Sequence, residues 1–204
     1  GLKIEGGWPA GPTAADYDLD GDVDLYVPHY VSFRYDTAEG AATGSEQYGL
    51  EVPLTLNPLS YEPLHNVLYR NNGDGTFSDA SRPAQVAYRR HSLQAVFWDF
   101  NSDGLPDIYV ANDTTPDSLF MNQGDGTFRD AAEYARTADS RGSMGIGVGD
   151  YDGDLDWDIW VTHWIAQDDA LFRNMLEKYT EGEIRFIDDI AYAVGEHSLS
   201  YVGC

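Results

Sequence analysis

The sequence is short of cysteine, of basic residues and of long apolar runs, and each shortage excludes something. Of 204 residues only Cys204 is a cysteine, so no internal disulfide framework and no cysteine-based zinc site can form. Lysine and arginine number 12 against 35 acids, a formal net charge of −23, and a nucleic-acid or anionic-membrane partner would need a basic footprint. No nucleic-acid partner is therefore expected. No stretch approaches the ~20 apolar residues that span a bilayer, so membrane insertion is not expected either. The chain opens at Gly1 without a basic-then-apolar leader, so a secretory signal, if one is encoded, is expected to have been cleaved. Gly-x-Ser-x-Gly, phosphate-loop and His-Glu-x-x-His patterns are all missing, and no nucleophile can be paired with a base. What is present argues for a folded protein: apolar residues make up 42% and aromatics 13%, too many for a disordered acidic tail.

The acids are concentrated. Three nine-residue windows, 16–24, 99–107 and 150–158, hold 13 of the 25 aspartates, which makes them sites rather than background. Each window places side-chain oxygens at its first, third, fifth and ninth residues. They are Asp16, Asp18, Asp20 and Asp24, then Asp99, Asn101, Asp103 and Asp107, then Asp150, Asp152, Asp154 and Asp158. Carboxylates this close repel one another unless a cation neutralises them. Oxygen-only ligands in a flexible loop suit Ca²⁺ better than Mg²⁺, which keeps its water and demands an octahedron. By analogy with the alternating ligands of an EF-hand loop, the seventh residue gives its carbonyl: Asp22, Leu105 or Asp156. About three Ca²⁺ per chain are expected. An EF-hand itself fails, because its twelfth residue should be a bidentate Glu between helices. Here that place is Val27, Val110 or Val161, inside strand-like runs. The third loop carries Leu155 where the others have Gly21 and Gly104, so its turn is expected to be strained.

Placing the three loops in register aligns their flanks. An apolar run precedes each loop and a second follows it. A third comes later, at Val67–Arg70, Leu119–Met121 and Leu171–Arg173. Asn72-Gly-Asp-Gly-Thr-Phe77 then recurs as Gln123-Gly-Asp-Gly-Thr-Phe128, with Asp-Gly supplying the left-handed positions of a tight hairpin. In the third copy a longer charged stretch replaces this turn, ahead of Arg185-Phe-Ile187. Each unit therefore reads strand, metal loop, strand, strand, turn, strand. The fold class is all-β: three four-stranded antiparallel blades of β-propeller type in an open or partial propeller. The repeats span about 8–82 with an insertion at 31–64, about 91–136, and about 142–192, within one domain of 1–204. An extra C-terminal strand is expected at 198–204, because Ser198-Leu-Ser-Tyr-Val-Gly-Cys204 matches the first strand of a unit.

The loops, each followed by Asp-Ile/Leu-Tyr/Trp-Val, together with Leu68-Tyr-Arg-Asn-Asn-Gly-Asp-Gly-Thr-Phe77, resemble FG-GAP/VCBS repeats, the calcium-loop blades also found in integrin α-chain propellers. The run from Ala95 to Asp113 is similar more narrowly to the cartilage-acidic-protein/ASPIC–UnbV group of secreted repeat proteins. The resemblance implies an extracellular propeller with metal at the loop positions named above. It points to adhesion, scaffolding or contact with other protein chains rather than to an enzyme. Open edges suggest head-to-tail assembly of copies into a filament, although a piece of a longer propeller would have the same ends.

Other features carry less. His29, Asn112 and His163 fall at one point of each unit, two residues beyond the valine that follows each loop. They are the candidates for a transition metal or for acid–base work. With the 31–64 insertion they support an alternative, a propeller enzyme acting on polysaccharide or phosphoester. The tyrosines and tryptophans read as blade packing, and a carbohydrate partner is also compatible with them. Asn112-Asp-Thr114 is an N-glycosylation sequon beside a metal-loop strand, where access is poor.

Overall fold

The computed structural model describes residues 7–32, 45–47, 50–52, 58–165, 167–176 and 184–190. Three four-stranded antiparallel sheets form, each taking its strands in chain order. The first comprises β1 (Thr13–Ala15), β2 (Asp24–Val27), β5 (Val67–Asn71) and β6 (Phe77–Asp79). The second comprises β7 (His91–Trp98), β8 (Asp107–Asp113), β9 (Ser118–Asn122) and β10 (Phe128–Asp130). The third comprises β11 (Ser143–Gly149), β12 (Asp158–His163), β13 (Ala170–Asn174) and β14 (Phe186–Asp188). The fold is all-β and propeller-like, as the repeat implies. Inside the 31–64 insertion, β3 (Ser45–Gln47) pairs with β4 (Leu50–Val52). The strand expected at 198–204 lies outside the described residues.

The alternation of strand side chains sends neighbouring residues to opposite blade interfaces. Along β8, Ile108 and Val110 join Tyr26, Leu68, Phe97 and Phe120 in the core between the first two blades. Tyr109, between them in sequence, points the other way, into the core shared with Ile159, Val161, Phe172 and Phe186 of the third blade. Every residue of β8 is buried, and its centre, Ile108 to Ala111, is accordingly apolar without alternation. One helical turn, α1 (Ala132–Ala135), follows β10 and adds Ala132 and Ala135 to the second core. The repeat pattern gives no hint of it.

Polar ties also cross the interfaces. Gly11 pairs in parallel with Gln94, its amide donating to the Leu93 carbonyl at 2.8 Å and its own carbonyl accepting from Ala95. A Cβ on Gly11 would lie 3.2 Å from the Leu93 carbonyl oxygen, so this close approach of inner strands favours glycine. A second tie uses the residue immediately before each third strand. Asn66 Nδ2 donates to Ser92 Oγ of the next blade at 2.9 Å, and Asp117 Oδ2 accepts from Ser143 Oγ of the next blade at 2.9 Å. Ser92 and Ser143 stand opposite Asn112 and His163 in their own sheets, and Pro9 stands opposite His29 in the first. The first blade thus lacks the serine at that point.

The Gly-Asp-Gly hairpins close as expected, by amide-to-carbonyl bonds from Asn72 to Thr76 and from Gln123 to Thr127, both 3.0 Å. Their left-handed positions are the two glycines, not an Asp-Gly pair: Gly73 and Gly75, then Gly124 and Gly126. Asp74 and Asp125 instead accept from the amide and hydroxyl of Thr76 and Thr127.

Candidate metal-binding loops

Each loop is wound by its own acids. The first residue caps it: Asp16 accepts from the amides of Asp20 and Gly21, Asp99 from those of Asp103 and Gly104, and Asp150 from those of Gly153, Asp154 and Leu155. The fifth residue makes a smaller turn, Asp20, Asp103 and Asp154 accepting from the amides of Asp22, Leu105 and Asp156. The ninth residue is buried and fixed at both oxygens. Asp24 accepts from the Tyr17 and Asn71 amides at 3.2 and 2.7 Å. Asp107 does the same with Phe100 and Asn122, and Asp158 with Tyr151 and Asn174. The ninth residue therefore joins the start of the loop to the end of the third strand.

This winding gathers carboxylates. Oxygens of Asp16, Asp18 and Asp24 lie within 4.8 Å of one another, and so do those of Asp150, Asp152 and Asp158. Asp20 and Asp154, in the fifth place, stand outside these tight trios. The second loop has the amide Asn101 in third place, donating to Asp103, and makes no carboxylate trio. Loops one and three also carry an arginine from the third strand. Arg70 Nε lies 3.0 Å from Asp18, and Arg173 Nη1 lies 3.5 Å from Asp152; the equivalent residue in blade two is Met121.

Electrostatics supports a cation in these loops. Burial pushes Asp107 up to about 8, with Asp103 and Asp99 adding to the rise. Burial likewise raises Asp24 and Asp158. Asp156 is pushed up to about 7 by burial and then by Asp154. Asp18 Oδ1 and Asp156 Oδ1 are buried without a hydrogen-bond partner among the described residues. An orphaned carboxylate oxygen beside gathered acids fits a hard divalent ion, which would supply the missing positive charge. Asp16, Asp18 and Asp24, and Asp150, Asp152 and Asp158, are the residues placed to hold one.

The loops contain two left-handed positions, not one. The sixth residue is Gly21, Gly104 or Leu155, at φ 97°, 85° and 71°; the fourth is Leu19, Ser102 or Gly153, at φ 57°, 57° and 80°. Each loop thus has one glycine for two strained places. The third has moved its glycine from the sixth place to the fourth, and Leu155 does adopt the strained conformation expected of it.

His29, Asn112 and His163 share a structural role. The amide of each is capped by the residue before the third strand: Asn66 Oδ1 at 2.9 Å, Asp117 Oδ1 at 2.7 Å and Asp169 Oδ1 at 3.1 Å. His29 is 5% exposed and His163 fully buried, and burial, then the neighbouring His65, pulls the His29 imidazole down. His163 Nε2 lies 3.3 Å from Asp139. Asn112 is fully buried, so its sequon is closed in the folded chain.

One set of residues escaped the sequence reading: Asn71, Asn122 and Asn174, at the ends of the third strands. Each donates through Nδ2 to the eighth-residue carbonyl of its own loop, Val23, Pro106 or Trp157. Asn122 and Asn174 also reach the preceding blade's loop, at the Tyr17 and Phe100 carbonyls, 2.9 and 2.8 Å away. Consecutive loops are therefore bonded to one another. The signal was visible, since asparagine recurs one residue beyond each third apolar run.

Comparison with known proteins agrees with this geometry. Residues 99–161, from the second loop through most of β12, match the FG-GAP-like repeat. The chain is 35% identical over 88 residues to cartilage acidic protein 1 of Homo sapiens, covering 43% of this chain and 13% of that protein. It is 34% identical over 83 residues to the Xenopus tropicalis protein of the same name, covering 40% and 12%. The Mus musculus protein is 33% identical over 88 residues, covering 43% and 13%. The chain spans only about an eighth of the length of the curated relatives it matches. The likeness to FG-GAP repeats and to cartilage acidic protein, read from the loops, is borne out.

Proposed function

We propose that the chain is a calcium-pinned propeller segment of an extracellular protein, with a structural or adhesive role and no catalytic one. The observation that carries this is the repeated trio of carboxylates at the first, third and ninth loop residues, with Asp18 Oδ1 left buried and unpaired. Each loop joins the first two strands of its blade, so an ion there stabilises the fold itself. The sites lack a bidentate glutamate, and two share their acids with an arginine, which suits the weak affinities of extracellular calcium modules. The burial of His29 and His163, and their common backbone role, favour a non-enzymatic reading over a propeller enzyme.

Other protein chains are the expected partners. Copies of this chain come second, for a specific reason. Asp169 is the third blade's counterpart of Asn66 and Asp117, but an incoming first blade would offer it Pro9 in place of the serine. The test is a thermal melt with light scattering in calcium and in excess EDTA, with metal analysis of the same sample. About three Ca²⁺ per chain and a large loss of melting temperature on chelation are expected. An unchanged melt with no bound calcium would overturn the reading, and calcium-dependent scattering would put copies of this chain ahead of other partners.

A further inference from the structure

Among the described residues the arginines of this acidic chain are either paired or free of acids. Arg70, Arg90, Arg141 and Arg173 each lie against an aspartate, and Arg185 sits over the Tyr134 ring. Arg82, Arg89, Arg129 and Arg136 are exposed and have no acid partner among the described residues. Arg82, Arg89 and Arg129 line one open groove of about 1200 Å³ between the first and second blades. Among the described residues Asp130 is the one acid on its wall, and Arg90 already faces it at 3.9 Å. With a net charge of −23 there are acids in plenty for these arginines to meet, yet three cations share one groove without an acid partner among the described residues.

From this charge pattern we infer that the groove binds an acidic polysaccharide. Guanidinium groups bind carboxylates and sulfates through paired N–H donors, and at physiological salt their field reaches only ~8 Å, so the distant acids of the chain do little to cancel it. The rest of the lining suits a sugar. Tyr88 is 37% exposed and held edge-to-face with Phe120, with ring centroids 5.0 Å apart, while the Arg90 guanidinium lies over its ring 5.5 Å from the centroid, so a fixed, part-exposed aromatic edges the groove beside a further cation. Gln85 and Gln123 bring side-chain amides, which both donate to and accept from hydroxyls. An acidic peptide fits less well, because it would seek strand pairing, and the first amide of β10, on Phe128, is already spent on the Ala84 carbonyl at 3.0 Å.

The inference does not depend on the calcium reading, and its test keeps the two apart. The full chain in calcium is titrated by calorimetry with a heparin-derived hexasaccharide, hexagalacturonate, maltohexaose and hexaglutamate. The two acidic sugars are expected to bind, with the neutral sugar and the peptide at least roughly tenfold weaker. The triple variant R82A/R89A/R129A loses binding by roughly tenfold or more while keeping its melt, and Tyr88→Ala weakens binding of the sugars several-fold. Arg136→Ala, an exposed arginine outside the groove, changes nothing. If the triple variant does not fold, Arg129→Glu replaces it with the same expectation. No binding, equal binding of hexaglutamate, or binding that survives the triple variant through calcium bridging at the loops would each overturn the inference.

Discussion

Asp117 of the second blade and Ser143 of the third meet across their interface, the serine hydroxyl donating to Asp117 Oδ2 at 2.9 Å while Tyr109 donates to the same oxygen at 2.7 Å. In the first blade Asn66 takes that place and reverses the direction, donating to Tyr26 Oη and Ser92 Oγ. One fold position thus accepts either an acid or an amide, because its hydroxyl partners can rotate to donate or accept.

Asp117 is fully buried, and burial raises its carboxyl well above the ordinary range; the hydrogen bonds from Asn112, Tyr109 and Ser143 offset this only in part, and Asp139 adds to the rise. A raised acid favours the folded state while protonated. Its contribution is present below the unfolded value near 4 and is lost as pH rises toward the folded value. Asp117→Asn should therefore gain stability relative to the wild type as pH rises from about 4 toward neutrality, by at most about 1.4 kcal/mol per pH unit. Urea denaturation at several pH values measures this, and parallel curves for the two proteins would show that Asp117 does not titrate in this way.

Asn122 connects two loops. Replacing it by alanine strands the Tyr17 and Pro106 carbonyls and frees the Gly124 amide, at a cost of about 1–3 kcal/mol. Asn71→Ala should cost less, since Asn71 reaches only its own loop. Asn122→Ala should also weaken the calcium site proposed for the first loop, although the side chain is placed in no ligand position, because Tyr17 is the second residue of that loop. Denaturant titration of the two variants, with calcium isotherms alongside, tests both statements. Equal costs would mean that the bond between blades contributes nothing.

Why the loops were legible and the ties were not follows from chemistry. A loop's ligands sit within nine residues and must all be oxygens, so Asp16 to Asp24 announce themselves three times over. The interface ties join residues far apart in sequence, and different residue types do the same work. Asn66, Asp117 and Asp169 are not a motif by identity, and Ser92 answers to Asn66 only once the blades are packed. The glycine at the sixth loop position was legible, but the second left-handed position was not, because Leu19 and Ser102 bear its strain without a glycine to mark it.

Arg173 stands where it would compete with the calcium ion proposed for the third loop. Its guanidinium lies 3.5 Å from Asp152 and 3.2 Å from Asp189, partly neutralising acids that an ion would otherwise claim. Met121, at the same place in the second blade, shows that a methionine is accommodated there. Arg173→Met should tighten calcium binding at the third loop by roughly two- to fivefold, the scale of a partly exposed ion pair. It should also lower stability in EDTA, where the arginine is the loop's principal counter-charge. Calcium titration reads the first effect and a melt in chelator the second. Weaker calcium binding in the variant would mean that Arg173 positions the acids instead of competing for them.

Leu155 holds φ 71° with its side chain 85% exposed, so it bears left-handed strain with little burial in return. Glycine adopts this conformation freely but loses more backbone entropy on folding, and the balance at a left-handed position favours glycine by about 0.5–1 kcal/mol. Leu155→Gly should accordingly raise the melting temperature by a few degrees, restoring the residue found in the other two loops. Gly153→Ala should do the reverse, because φ 80° at Gly153 would then be carried by a residue with a Cβ, two residues before a leucine already strained. No heavy atom lies within 4 Å of the added Cβ at Gly153, so the loss would come from backbone conformation and not from collision. Melts of the two variants in EDTA isolate this effect from calcium. A neutral Leu155→Gly would place the third loop's difference in ligand charge, leaving its backbone no more strained than the other two.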